Sequence, residues 1–509
     1  MADDITHYDA IEAYCRRLSY VAGDTAEVCV STTAARFDLT VTRAGAGAAV
    51  WSARDLPGTV QPTPPDADAS GCGWEVTVAI PVDAAWPSGF YLVELTAHDG
   101  APDRRTGHAC FVVRAAVPRH RALFVLATNT WNAYNDWGGR SLYTGGHRVS
   151  FQRPFGRGML VRPTTERDDR KARPRHTGEE PDVDGEIYQR YRYANGYPGY
   201  MGSAGWFTYD RRFAEWADKA GIGLDFAVSS DLETVPGLTA GYRTVIGAGH
   251  DEYWSRPQRD AVEAFVAAGG SYASFSGNTM FWQVRLVDDG AAMVCHKYRA
   301  HLDDPVAVGD PAAMTGMWCD PVVGHPESRF LAASSMYGLY SRFGQATPRG
   351  VGGFVVYRDD HWLLAGTGMR YGDVLGADDG VVGYETVGTR FGFDGHHLPV
   401  ALPDPLLPDP ADVEIVAVTP SSNLGMGEYP RSIAALDDQG DLEFIAERAF
   451  GGGPDALAKA RHGNAVMLTC RPFGPGGGEV VTVGTTDWVF GLDDPAVSQV
   501  TRNVLDRGA

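Results

Sequence analysis

No run of apolar residues in this chain approaches the roughly 20 that a membrane-crossing helix needs, so the sequence predicts no membrane partner. Its opening, MADDITHYDA, has neither a basic head nor an apolar core, and no secretory signal is expected from it. Cysteine is scarce, with seven in 509 residues, no repeated spacing and no C-x-x-C pair. That excludes a disulfide framework and a thiolate zinc site, and it suits a reducing compartment, of which the cytoplasm is the simplest. Positive charge is also short. The 44 Lys and Arg against 64 Asp and Glu leave a net charge of -20, which argues against nucleic acid, whose binding rests on clustered cations. The basic run Arg167 to Arg175 is interleaved with acids and reads as a solvated loop. Missing too are the G-x-S-x-G elbow, H-E-x-x-H and the Walker loop, which removes three common routes to hydrolysis. The Gly/Ala run around Ala46 opens no helix, so it is no dinucleotide fingerprint.

What is present is organised around Thr244 to Trp282. Tyr242 to Ala248 is short, apolar and β-branched, the pattern of a buried strand. Gly249, His250, Asp251 and Glu252 follow at once, and Ser255 with Pro257 then offers a helix start whose apolar residues recur until Gly269-Gly270. A second apolar run, Ser271 to Phe275, ends on Ser276-Gly277-Asn278. Strand, loop, helix and strand make a crossover that sets two parallel strands side by side, and ligands of open α/β sheets bind beyond their carboxyl ends. His250, Glu252 and Asn278 are therefore expected to converge.

Upstream, residues 1–115 show short alternating runs such as Phe37 to Arg43 and Phe90 to Ala97, separated by Gly, Pro and Asp turns. They predict a β-sandwich of immunoglobulin-like type, to which no chemistry is assigned. Residues 116–509 read as an α/β domain with a mostly parallel sheet flanked by helices and interrupted by insertions at about 153–210 and 403–475. The first insertion, rich in Arg and Tyr, is either a binding loop or a surface insertion packed by its own tyrosines. Ahead of it, ATNTWNAYNDWGGRSLYTGG is dense in Trp, Asn, Tyr and Gly and suits a pocket wall.

Each candidate residue has a plain reading beside a chemical one. Glu252 could cap the following helix and His250 be a hydrogen-bonded core histidine. Tyr134 and Tyr143 could simply fill space. Taken together, two phenolates and one carboxylate carry three negative charges, and a phenol, with its reference pKa near ~10, ionises as a ligand only beside a strong Lewis acid. That set matches a ferric ion and a preference for hard oxygen better than zinc.

The segments NTWNAYNDWGGRSLY, GHDEYW, GGSYASFSGNTMFW, VVGYETVG and GGGEVVTVGTTDW resemble the catalytic region of the large subunit of N,N-dimethylformamidase and its relatives. The resemblance covers about 118–509; residues 1–115 match only as a sandwich module. It implies a fold similar to class I glutamine amidotransferases and a mononuclear non-haem iron (Fe3+) that activates water for amide hydrolysis. It also implies the ligands Tyr134, Tyr143 and Glu252, with His250 beside the iron, Asn278 donating to the oxyanion or orienting substrate, and Glu385 suited to acid/base work. The two tyrosines are closer in sequence than the family leads one to expect, so a tyrosine from 188–200 is an alternative to Tyr143. The expected partner is a small-molecule amide, with a small subunit or a second copy of the chain as possible assembly partners. Two other functions compete: a hydrolase of another C–N bond, and a non-catalytic binder of carbohydrate or peptide on the same fold.

Overall fold

A computed structural model describes residues 9–162, 196–200, 202–338, 352–423 and 441–507. The basic run at Arg167 to Arg175, Tyr188, Tyr191, Tyr193 and much of the loop expected at 153–210 lie outside the described residues. The chain is mixed α/β and forms several sheets. It divides into two compact units, one drawn from Met1–Ala172, Tyr188–Pro236 and Arg285–Val294, the other from Arg173–Ile187, Gly237–Val284 and Cys295–Ala509. Neither unit follows the simple division at residue 115 that the composition suggests.

In the first unit, β1 (Ile11–Cys15), β2 (Ser19–Val21), β3 (Thr25–Thr32), β4 (Arg36–Arg43), β5 (Ala49–Pro57), β6 (Val76–Pro81), β7 (Gly89–Ala97) and β8 (Thr106–Arg114) make two sheets. Their orders are β1-β3-β6 and β2-β8-β7-β4-β5. The period of two does the sorting. In β4, Phe37, Leu39 and Val41 point inward while Arg36 is exposed and Asp38 and Thr40 are half-buried. Residues of both sheets, among them Val28, Ile80, Val93 and Phe111, share one core. Each such side chain removed from water contributes roughly 1.5–3 kcal/mol. The same unit holds a parallel pair, β9 (Ala122–Leu126) with β10 (Leu224–Val228), together with α1 (Thr128–Tyr134) and α2 (Asp210–Ala220).

The second unit is built on a sheet that starts parallel. Strand β11 (Thr244–His250) pairs with β12 (Ser271–Gly277) in the register Thr244↔Ser271 through His250↔Gly277. Between them runs α3 (Arg256–Ala267). Ser255 caps it by accepting from the Gln258 N–H, the Gln258 side chain returns the bond, and Pro257 lies in the first turn. Ser255 and Pro257 are the start signals visible in the sequence. Beyond β12 the order continues through β17 (Val480–Val483), β16 (His462–Cys470), β15 (Val413–Ser422), β13 (Phe354–Val356) and β14 (Val374–Leu375). Only β17 continues the parallel run, and every later pairing is antiparallel. Within this unit the expectation of a mostly parallel sheet thus gives way to a mixed one. Strands β15 and β16, read from sequence as part of an insertion, are members of the sheet. The helix α4 (Pro495–Arg507) closes the chain. Among the described residues, no helix is long and apolar enough to cross a membrane, and all seven cysteines are buried and free.

Candidate active site

The register of β11 and β12 puts His250 opposite Gly277 at the carboxyl ends of two neighbouring parallel strands. Glu252 comes two residues after His250 and faces the same way. The His250 Nε2 lies 3.2 Å from Glu252 Oε2 and 2.8 Å from Glu385 Oε2. All three side chains are buried, and their ligand atoms lie within 4.8 Å of one another. Asn278 follows Gly277 with φ 51°, a left-handed conformation that Asn tolerates better than most residues. Its Nδ2 donates to Glu385 Oε2 at 3.0 Å, and its Oδ1 accepts from the Ser335 hydroxyl at 2.8 Å.

Glu385 comes from far along the chain, and backbone pairing delivers it. The Thr486 N–H donates to the Glu385 carbonyl at 3.1 Å, and the Val387 N–H to Gly484 at 3.1 Å. The loop Gly484 to Trp488 therefore carries the Glu385 segment to the end of β12. Gly277 permits the approach: a Cβ there would lie 2.2 Å from the Glu385 carbonyl oxygen and 2.4 Å from the Thr486 nitrogen. Tyr384, at φ 53°, sets its ring edge-on to His250 with centroids 5.4 Å apart.

Burial by itself would push the His250 imidazole down, but the charge of Glu385 and contacts with both carboxylates outweigh it and hold the group up to about 10. Burial pushes Glu385 up, and the like charge of Glu252 adds to this, against the pull of His250 and the Asn278 amide. We read the pair as imidazolium and carboxylate in close contact. Asp251, between the two, is pushed up to about 7 by burial, with the Trp254 indole N–H opposing. One ring N–H points in one direction and cannot aim at both Oε2 atoms. Glu252, buried beside that pair, offers a carboxylate oxygen of the kind that suits a hard cation. The residues present fit such an ion.

Tyr134 and Tyr143 belong to the first unit and come together there. Their rings stack at 4.2 Å. Tyr200, from the 188–200 stretch, completes a three-ring group, 5.1 Å from Tyr143 and 6.2 Å from Tyr134. Tyr143 is thus a neighbour of Tyr134, and of the stretch offered as its alternative so is Tyr200. Arg153 is buried and donates to the carbonyls of Ser150, Trp137, Asn132 and Asn135, the last three flanking Tyr134 in sequence.

Two residues of the site escaped the sequence reading. Ser335 lies in LAASSMY, a stretch with no period, and its only signal is a serine pair before a short 3-10 turn. Glu327 is fully buried and accepts from the hydroxyl of Ser334, its partner in that serine pair. Burial pushes its carboxyl up to about 7, against the Ser334 bond and Arg259. A raised carboxyl stabilises the fold below the ordinary carboxylate range, and this contribution is lost as pH rises through about 7. Glu327→Gln should therefore remove a loss on the order of 3 kcal/mol between pH 5 and pH 8. Denaturant midpoints of both proteins across that window check this, and parallel pH profiles would contradict it.

The profile of the N,N-dimethylformamidase beta subunit-like family, C-terminal region, matches residues 38–502. The chain belongs to this family. The N,N-dimethylformamidase-like match takes in all six residues singled out from sequence. It also begins inside β4, so it reaches further into the sandwich than the 118–509 resemblance implied. No curated protein matches the chain.

Proposed function

We propose that this N,N-dimethylformamidase-like protein is an iron-dependent amidohydrolase that cleaves the C–N bond of a small amide. The observation that carries the reading is the buried contact of His250 with Glu385 at 2.8 Å, with Glu252 at 3.2 Å from the same nitrogen. It is a proton-handling couple set beside a carboxylate suited to a cation. In this reading Glu252 is the carboxylate ligand of a mononuclear ferric ion, and Tyr134 with Tyr143 supply the phenolates. When bound, the ion supplies Lewis acidity that polarises the amide carbonyl and lowers the pKa of water.

The chain's own residues handle the protons. Glu385 accepts a proton from water as the new C–O bond forms and the carbonyl π electrons move onto oxygen. It then gives that proton to the amine nitrogen as the C–N bond breaks, releasing carboxylic acid and amine. His250, charged and 2.8 Å away, holds Glu385 ready to accept. Asn278 aims an N–H at Glu385, which places its first duty on that carboxylate, and it serves the substrate oxyanion as a second. The reading further includes an amidotransferase-like main fold, taken from the resemblance; an immunoglobulin-like sandwich, taken from the alternating strands; a cytoplasmic location, taken from the scattered cysteines; and either a second copy of the chain or a small partner subunit.

Amine release from N,N-dimethylformamide and formamide, measured with the whole chain, tests this. The wild type is expected to hydrolyse at least one of them and Glu252→Ala neither. Hydrolysis that persists in Glu252→Ala would overturn the assignment of Glu252, and an inert wild type that binds iron would overturn the substrate class.

A further inference from the structure

The proton carrier of the proposed reaction is held by an asparagine, and the asparagine is itself held. An amide side chain has one accepting and one donating end. Asn278 turns its donating end to Glu385 Oε2 at 3.0 Å and its accepting end to Ser335 Oγ at 2.8 Å. Turned through half a circle, the amide would set its oxygen against a carboxylate oxygen, two acceptors with no proton between them. The Ser335 hydroxyl prevents an equally costly outcome in the observed orientation, because it supplies the proton that the buried Asn278 Oδ1 needs. Asn278 and Ser335 are both buried.

Ser335 is tethered to the segment that carries Glu385. Its neighbour Ser334 donates its N–H to the Gly388 carbonyl at 2.8 Å and accepts from the Gly388 N–H at 3.0 Å. The Ser334 side chain also caps the turn Ser335–Tyr337 by accepting from the Met336 N–H at 3.1 Å. Ser335 therefore stands on a backbone bridge three residues from Glu385 and returns to that residue through Asn278, closing a loop of bonds. A serine needed only to start the turn would have no reason to aim its hydroxyl at Asn278, since Ser334 already provides the cap.

We propose that Ser335 is a positioning residue for Glu385: by donating to Asn278 Oδ1 it locks the amide so that Nδ2 stays on the Glu385 carboxylate. This rests on the amidohydrolase reading above, and its effect is on the proton-transfer step, with substrate binding unchanged.

The test combines kinetics with a probe that needs no turnover. With N,N-dimethylformamide or formamide, whichever the wild type hydrolyses, Ser335→Ala should lower kcat about tenfold, the value of one buried neutral hydrogen bond. KM should stay within about threefold, and Ser335→Thr, which keeps the hydroxyl, should recover most of the rate. In an Asn278→Ala background, Ser335→Ala should cost nothing more, because the bond it removes is already gone. Independently, the Asn278 side-chain amide in asparagine-15N protein should shift and exchange faster with solvent in Ser335→Ala. Ser335→Gly gives the same readouts if the alanine variant folds poorly. Full additivity in the double variant, or an Asn278 amide signal unmoved by loss of the hydroxyl, overturns the proposal. Should the wild type hydrolyse no amide, the functional reading fails on its own and the amide signal alone decides the role of Ser335.

Discussion

Glu385→Gln lowers kcat by roughly 10²–10⁴-fold, the range expected when a positioned proton carrier is removed, while KM and bound iron stay close to wild type. Gln has nearly the same shape and remains within reach of His250 and Asn278, so the fold has little cause to change. What is lost is the ability to take a proton from water and hand it to the departing amine. The substitution also removes the charge that does most to hold His250 up to about 10. The imidazole then falls toward its ordinary range and ceases to be a fixed cation beside the site. Steady-state kinetics and iron analysis on the same preparation check both halves. The second half matters because the His250, Glu252 and Glu385 ligand atoms all lie within 4.8 Å of one another. If Glu385→Gln strips the iron along with the activity, Glu385 is a ligand and the division of labour proposed here is wrong.

Arg153→Ala should destabilise the first unit by about 3–5 kcal/mol, the cost of breaking up a buried charged network. Arg153→Lys should recover little of it. The guanidinium donates through Nε to Ser150 at 3.0 Å, through Nη1 to Trp137 at 2.5 Å and through Nη2 to Asn135 at 2.8 Å. It reaches the Asn132 side chain as well, at 3.3 Å. Burial draws the group down to about 10, and the charges of Asp68 and Asp136 oppose this. A lysine ammonium is a single point that cannot reach four separated carbonyls, so several would be left buried without a donor. Those carbonyls flank Tyr134 and set the course of the loop carrying Tyr143, so the ring stacking at 4.2 Å should loosen with them. Urea denaturation and tyrosine fluorescence of the two variants measure this. An Arg153→Lys protein as stable as wild type would show that the fork of donors does not hold the loop.

The parts of the fold legible in sequence are those fixed by neighbours along the chain. Ser255, Pro257 and the glycines after α3 mark that helix from both ends, and the alternation of Phe37, Leu39 and Val41 marks a sandwich strand. His250 and Glu252 were readable as a pair because they lie two residues apart where one strand ends. Glu385 was not readable from its surroundings. Its segment reaches the site through backbone bonds from Val387 to Gly484 and from Thr486 to Glu385, about a hundred residues away, and only the family resemblance pointed to it. Strands β15 and β16 read as an insertion because a proline cluster precedes them and glycine-heavy turns surround them, while local pattern carries no information about which sheet a strand joins. Ser335 was invisible for a related reason: its meaning lies in an amide 57 positions away. Tyr200 was narrowed only to a stretch, and packing against Tyr134 and Tyr143 selects it among the described tyrosines there.

The central claim is that Glu252, with phenolate oxygens, holds a ferric ion. Iron content and the visible spectrum of untreated whole-chain protein, beside Glu252→Ala, test it most directly. The account predicts one iron per chain with a phenolate-to-iron absorption band in the wild type, both lost in the variant. A colourless wild-type protein that carries zinc or no metal, or a Glu252→Ala protein that keeps iron and band, would contradict it.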